Sequence, residues 1–258
     1  MSLILIGTSG FSYDDWKATF YPPEITKKEY LTFYASHFKA LELNFSYYQM
    51  PKAHHCEQML AKTGGELTFV VKAFNKITHE IDEKSLKETL SRFIDGISPF
   101  IDAERLGGIL LQFPQSFHYR PENRIYLKTL LDNLVSYPVF VEFRQKEWLK
   151  ETVFRALREL NTGFVCVDEP PLPSLIPPIV MDTSRMGYIR FHGRNMKNWY
   201  GTDSTARYNY LYSKEELSEW VPKIRDLAQK TEKLFIFFNN HAKAQAIKNA
   251  RMLINLLN

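Results

Sequence analysis

Two rhythms of apolar and polar positions alternate along the chain. Short, nearly continuous runs of Val, Ile, Leu and Phe read as strands covered on both faces. They fall at Leu3–Ser9, Ala40–Asn44, Leu67–Ala73, Gly107–Phe113, Pro138–Arg144, Gly163–Asp168, Gly187–Gly193 and Leu234–Asn240. Between them, apolar positions three and four apart predict amphipathic helices at Lys27–His37, Lys52–Lys62, Glu83–Arg105, Glu122–Leu134, Trp148–Leu160, Lys214–Lys230 and Ala242–Leu257. Asn161-Thr162-Gly163 suits a left-handed helix stop, and Ser213 with Glu216 forms a capping-box pattern. The sixth and seventh strands are joined by Glu169-Pro170-Pro171-Leu172-Pro173 and Ile176-Pro177-Pro178. Proline lacks the amide donor and clashes with the preceding turn, so the sixth βα helix is replaced by an irregular, proline-rich loop.

Eight such alternations close most economically into one α/β domain, a (β/α)8 TIM-type barrel spanning 1–258. A barrel of this type needs about 250 residues, and no linker divides the 258 present. A doubly wound open sheet is the competing architecture, but the chain lacks the G-x-G-x-x-G phosphate loop that usually accompanies it.

In a strand, alternate side chains face opposite sides of the sheet. Glu42 and Asn44 oppose Leu41 and Leu43; Glu142 and Arg144 oppose Val141 and Phe143; Arg190 and His192 oppose Ile189 and Phe191. Lys72, Gln112, Asp168 and Asn239 or Asn240 close further strands. The polar residues fall late in each strand, so they are expected to converge at the carboxyl-end mouth, where barrel enzymes place their chemistry. Glu42, Lys72, Glu142, Asp168 and Arg190 are therefore expected to face one central site. Their charges balance, so a structural ion-pair network is the competing interpretation.

Composition adds exclusions. Hydrophobic residues are 45% and charged residues 24% of the chain, ordinary for a globular protein. No apolar run approaches the roughly 18 residues of a membrane span, and no secretory leader pattern follows Met1, so no membrane partner is expected. The two cysteines, Cys56 and Cys166, read as small apolar fillers in a reducing cytoplasm. A net charge of +4 admits a small anionic ligand but gives nucleic acid only weak support. Nothing in the pattern specifies an oligomeric state.

The same segments carry a family pattern. Gly7-Thr8-Ser9-Gly10-Phe11-Ser12-Tyr13 with Trp16 and Phe20-Tyr21-Pro22 resembles the opening of the YecE-like family, domain-of-unknown-function family 72. So do Glu42-Leu43-Asn44-Phe45-Ser46-Tyr47-Tyr48 with Pro51, Phe69-Val70-Val71-Lys72-Ala73 with Ile77-Thr78-His79, and Leu110-Leu111-Gln112-Phe113-Pro114. The match continues through Glu142-Phe143-Arg144 with Trp148, Asp168, Arg190-Phe191-His192-Gly193-Arg194, Tyr208-Tyr210-Tyr212, and Phe237-Phe238-Asn239-Asn240 with Ala246, Asn249 and Ala250. Phe11 stands where the family commonly has tryptophan. The resemblance implies a TIM-type barrel and supplies no reaction.

Roles are assigned from the chemistry of the residues. His192, Asp168 and Glu142 are the expected proton-transfer groups. Lys72, Arg144, Arg190 and Arg194 are expected to bind negative charge, with Lys72 remaining charged beside the carboxylates and a Schiff base at Lys72, which desolvation would favour, as the minor alternative. Glu42, Asn44, Gln112, Asn239 and Asn240 complete the substrate-binding set, and the first amides of the last helix are a further anion cradle. The long segment from Arg194 to Tyr212 is expected to be a lid or an aromatic wall, with Trp199, Tyr208 and Tyr210 facing Tyr13, Trp16 and Tyr47. No organic cofactor is expected. A divalent metal at Glu42, Glu142, Asp168 and His192, with His79 as a second nitrogen ligand, is the weaker alternative because three cations crowd the same mouth.

The leading expectation is an enzyme acting on a small anionic metabolite by acid/base chemistry, as a hydrolase, isomerase or lyase. The alternatives are a metal-dependent phosphoesterase acting on nucleic acid, and a non-catalytic module that binds a nucleotide, nucleic acid or protein. Arg190→Met is expected to weaken anion binding while leaving folding largely intact.

Overall fold

In the computed structural model, which describes residues 2–201 and 204–258, the side-chain alternation closes into a barrel. The eight parallel strands are β1 (Leu3–Ser9), β2 (Ala40–Leu43), β3 (Thr68–Lys72), β4 (Leu106–Gln112), β5 (Val139–Glu142), β6 (Gly163–Asp168), β7 (Met186–Phe191) and β8 (Lys233–Phe238). They pair in sequence order, and β8 returns to β1. Closure leaves no sheet edge unpaired, and the helices cover the outer face.

The helical units are α1 (Tyr30–Ala35), α2 (Phe45–Tyr48), α3 (Ala53–Lys62), α4 (Asn75–Thr78), α5 (Leu86–Asp102), α6 (Pro121–Asn133), α7 (Glu151–Glu159), α8 (Ser204–Arg207), α9 (Lys214–Ser218), α10 (Val221–Lys230) and α11 (Gln245–Leu257). The expected helix over Lys214–Lys230 is two: it breaks at Glu219 and Trp220, just ahead of Pro222. Ser213 and Glu216 make the reciprocal capping box at its start. Asn161 takes the left-handed conformation that ends α7, and no helix separates β6 from β7.

Aromatic side chains dominate the core. Phe140, Tyr188, Phe235 and Phe237 pack inside the barrel, while Phe113, Phe143 and Trp148 stack between sheet and helices. No helix among the described residues is long and apolar enough to cross a membrane.

Candidate functional site at the barrel mouth

Register fixes which polar residues share the interior. Ser9 lies beside Glu42, Gln112 beside Glu142, and Val167 beside Arg190. Neighbours in a parallel ladder point to the same face, so Ser9, Glu42, Gln112, Glu142 and Arg190 all face inward.

Arg190 is the centre of this group and is 2% exposed. Its two terminal nitrogens donate to Glu42 Oε1 and Glu142 Oε2, each at 2.6 Å. Tyr188 donates to the other oxygen of Glu42 at 2.6 Å. Arg144 reaches Glu142 at 2.8 Å and Glu169 at 3.0 Å. Burial opposes the charge on Glu142, but Arg144, Arg190 and His192 outweigh it and hold its carboxyl well below the usual range.

His192 is fully buried. Asn239 Nδ2 stands 3.1 Å from its Nδ1, and Glu142 Oε1 is 3.1 Å from its Nε2. An amide nitrogen only donates, so Nδ1 accepts and the proton sits on Nε2, directed at the carboxylate. Burial and the Arg144 guanidinium lower the histidine from 6.5 to about 3, leaving a neutral imidazole at physiological pH.

Lys72 has a different environment. It is half-buried, donates to Gln112 Oε1 at 2.7 Å, and lies 4.3 Å from the centre of the Tyr47 ring. Among the described residues it has no carboxylate within ion-pair distance, unlike Arg144, Arg190 and Arg194. Burial and the Arg190 guanidinium lower it from 10.5 to about 7. Arginines pair with the nearby carboxylates, so the charge expected on Lys72 is opposed by desolvation and by cationic repulsion.

Tyr13, Asn44, Tyr47 and His79, from the segments that follow β1, β2 and β3, are half-buried like Lys72, whereas Glu42, Glu142, Arg190 and His192 are buried. Two buried polar atoms on this side lack a partner, Ser9 Oγ and Asn44 Oδ1. His79 packs edge-on against Tyr47 and is lowered to about 4 by burial and Lys72.

The β5–β8 side is covered. Trp199 is 4% exposed and lies over Arg144, with His192 and Tyr208 beside it. Tyr200 joins the cover to Ser174 and Gln115. Gly193 permits the sharp departure from β7: its φ is +91°, and a Cβ there would come within 2.7 Å of Tyr210 Cβ. Thr202 and Asp203 of the expected lid lie outside the described residues.

Several expected mouth residues stand elsewhere. Asp168 pairs in register with Phe191, which packs outward against Tyr212 and Trp220. Its carboxylate therefore faces the helices, where it accepts from Arg194 Nε and a terminal nitrogen, Tyr212 and Trp220 at 2.7–2.9 Å. Arg194 is held there by Asp168, Glu216 and Glu219. Asn240 also turns outward, donating to Asn249 and to the Tyr210 carbonyl. The Tyr210 hydroxyl binds Glu216. Trp16 is fully buried behind Tyr13 and donates to the His241 carbonyl, while Tyr13 stacks on His241. Before α11, the Lys243 amide donates to the Asp15 carboxylate at 2.6 Å.

Glu169 belongs to the interior set, although the sequence reading passed over it. It accepts from Arg144 and the Ile176 amide, and burial raises it to about 7. Alternation beyond β6 carries the signal: 165, 167 and 169 share the inner face. Among the described residues, no three His, Cys, Asp or Glu side chains form a group able to hold a metal ion.

Fold and site thus define a TIM-type barrel protein whose mouth is filled by an arginine–carboxylate network with a lysine at its opening. The family described as "Protein of unknown function DUF72" matches residues 5–258, and the chain belongs to it. It is 30% identical over 271 residues to UPF0759 protein YunF of Bacillus subtilis strain 168, covering 99% of this chain and 95% of that protein. A solved DUF72 family protein from Thermotoga maritima MSB8 is 37% identical, covers 99% of both chains and superimposes with a TM-score of 0.92. Another, from Enterococcus faecalis V583, shares the fold at 24% identity and a TM-score of 0.88, covering 99% of this chain and 95% of its own.

Proposed function

We propose that this chain is an enzyme that binds a small anionic metabolite at the barrel mouth and acts on it by proton transfer. The observation that supports this reading is half-buried Lys72, a cation without a carboxylate partner among the described residues, with unpartnered Ser9 and Asn44 oxygens at the ends of the two preceding strands. A bound anion would supply its missing counter-charge, and substrate hydroxyl or amide groups would satisfy the two oxygens.

The geometry shifts the proton-moving role away from Asp168, which faces the helices, and His192, whose Nε2 proton is directed at Glu142. Lys72 and Glu169, both near 7, are the mouth groups best matched to neutral-pH acid/base work. In this mechanism Lys72 binds as an ammonium, or accepts a proton as an amine. Glu142 and Arg190 form the rigid electrostatic floor, and His192 and Asn239 hold that floor in place.

The test has two parts. Calorimetric titration with inorganic phosphate and a panel of small carboxylates should detect an anion, and Lys72→Met should weaken its binding by about tenfold or more. Solvent deuterium incorporation into the bound metabolite, followed by NMR, then tests proton transfer. Anion binding unchanged in Lys72→Met contradicts the proposed site; binding without exchange or turnover favours a non-catalytic binding module.

A further inference from the structure

We infer that Lys72 is a nucleophile that captures a small aldehyde or α-oxo acid as an imine. This rests on the reading of the mouth as an anion site and narrows its substrate class to small carbonyl compounds, the carbonyl acids foremost. Three features of the geometry support it. Lys72 is half-buried, whereas Glu42, Glu142, Arg190 and His192 are buried. Its nitrogen is steered by one neutral hydrogen bond to Gln112 and by the Tyr47 ring, rather than being tied up by a carboxylate. The unpartnered Ser9 and Asn44 oxygens lie at the ends of the two preceding strands, available to the hydroxyl that forms when an amine adds to a carbonyl.

Electrostatics act in the same direction. Burial and the neighbouring Arg190 bring Lys72 to about 7, so about half is neutral amine at that pH. The neutral fraction is about a thousandfold above that of an ordinary lysine near 10.4. Desolvation beside another cation is a known route to a nucleophilic lysine.

The chemistry balances without an added oxidant or reductant. The Nζ lone pair forms a bond to the carbonyl carbon, and the carbonyl π electrons move to oxygen, which takes a proton. The amine then loses a proton. Protonation and departure of the hydroxyl as water leave a protonated imine. That iminium restores a positive charge beside Arg190 and acts as an electron sink for the adjacent bond of the substrate.

The experiment treats the native protein at pH 7 with glyoxylate or pyruvate and cyanoborohydride, whose hydride reduces an imine to a stable secondary amine. Peptide mapping by mass spectrometry then reads each site separately. Lys72 is expected to be modified about tenfold or more faster than any other lysine, with the α-amino terminus distinguished by its own peptide. Inorganic phosphate should slow the labelling. Lys72→Arg should retain phosphate binding and lose the dominant label. Labelling of Lys72 no faster than surface lysines overturns the inference. If phosphate still binds in a Lys72-dependent way, only the imine fails; if phosphate does not bind either, the anion-site reading fails with it.

Discussion

Replacing Arg190 by methionine tests how the mouth is held together. The change keeps an unbranched apolar stem but removes the guanidinium that bridges Glu42 and Glu142. The two carboxylates respond differently. Glu142 retains Arg144 at 2.8 Å and His192 at 3.1 Å, so its charge remains compensated. Glu42 keeps only the Tyr188 hydroxyl among its described partners, and it is fully buried. One uncompensated buried carboxylate, not two, therefore determines the cost, about 3–5 kcal/mol. For a chain of this size that lowers Tm by roughly 6–20 °C. The expectation from sequence, that folding would be largely intact, changes because both terminal nitrogens of Arg190 are taken by Glu142 and Glu42. Protonation of Glu42 would remove the uncompensated buried charge in the variant. Stability is then recovered as pH falls and lost as it rises, so urea unfolding should show the variant deficit larger at pH 8 than at pH 5. Glu42→Gln added to Arg190→Met should restore part of the loss. A deficit under about 1 kcal/mol, or no recovery in the double variant, would refute the argument.

Asp168→Asn should cost about 2–4 kcal/mol in urea unfolding, since its carboxylate accepts four donors on the helix side, yet leave phosphate affinity at the mouth within about twofold. The His192 ring proton should show no NMR titration above pH 5, because burial and Arg144 place its pKa at about 3; a midpoint near 6.5 would contradict the assigned network. With its folded pKa below the unfolded value, His192 makes the fold weaker as pH falls from 6.5 towards 3. Glu169, raised to about 7, has the opposite sign: its contribution is present below the unfolded carboxyl pKa and lost as pH rises through 7. Amides from Asn195 to Gly201 should exchange faster than those of β7 and slow when phosphate binds; exchange already as slow as the strand would make the Trp199 cover a fixed plug.

The barrel was legible because each strand carries a compact apolar run, and β1 and β6 fall within the sequence-derived bounds. Side-chain alternation also placed Glu42, Lys72, Glu142 and Arg190 on the inner face. It went astray where a strand ends in two polar residues. Asp168 and Glu169 are adjacent, as are Asn239 and Asn240, and one member of each pair turns inward. Only the register with the neighbouring strand settles which member that is. Prolines after Glu169 made its segment read as loop and concealed its inward position. The state of Lys72 was not legible, because it depends on how two arginines divide the carboxylates around it. Such a balance is a property of three-dimensional distances, not of spacing along the chain.

The most direct test of the central claim is the titration of the Lys72 ammonium, followed by side-chain nitrogen NMR with and without inorganic phosphate. The account predicts a midpoint near 7 in the free protein, moving upward when phosphate binds, because an anion favours the charged amine. A midpoint near 10.5 that phosphate does not move would contradict it.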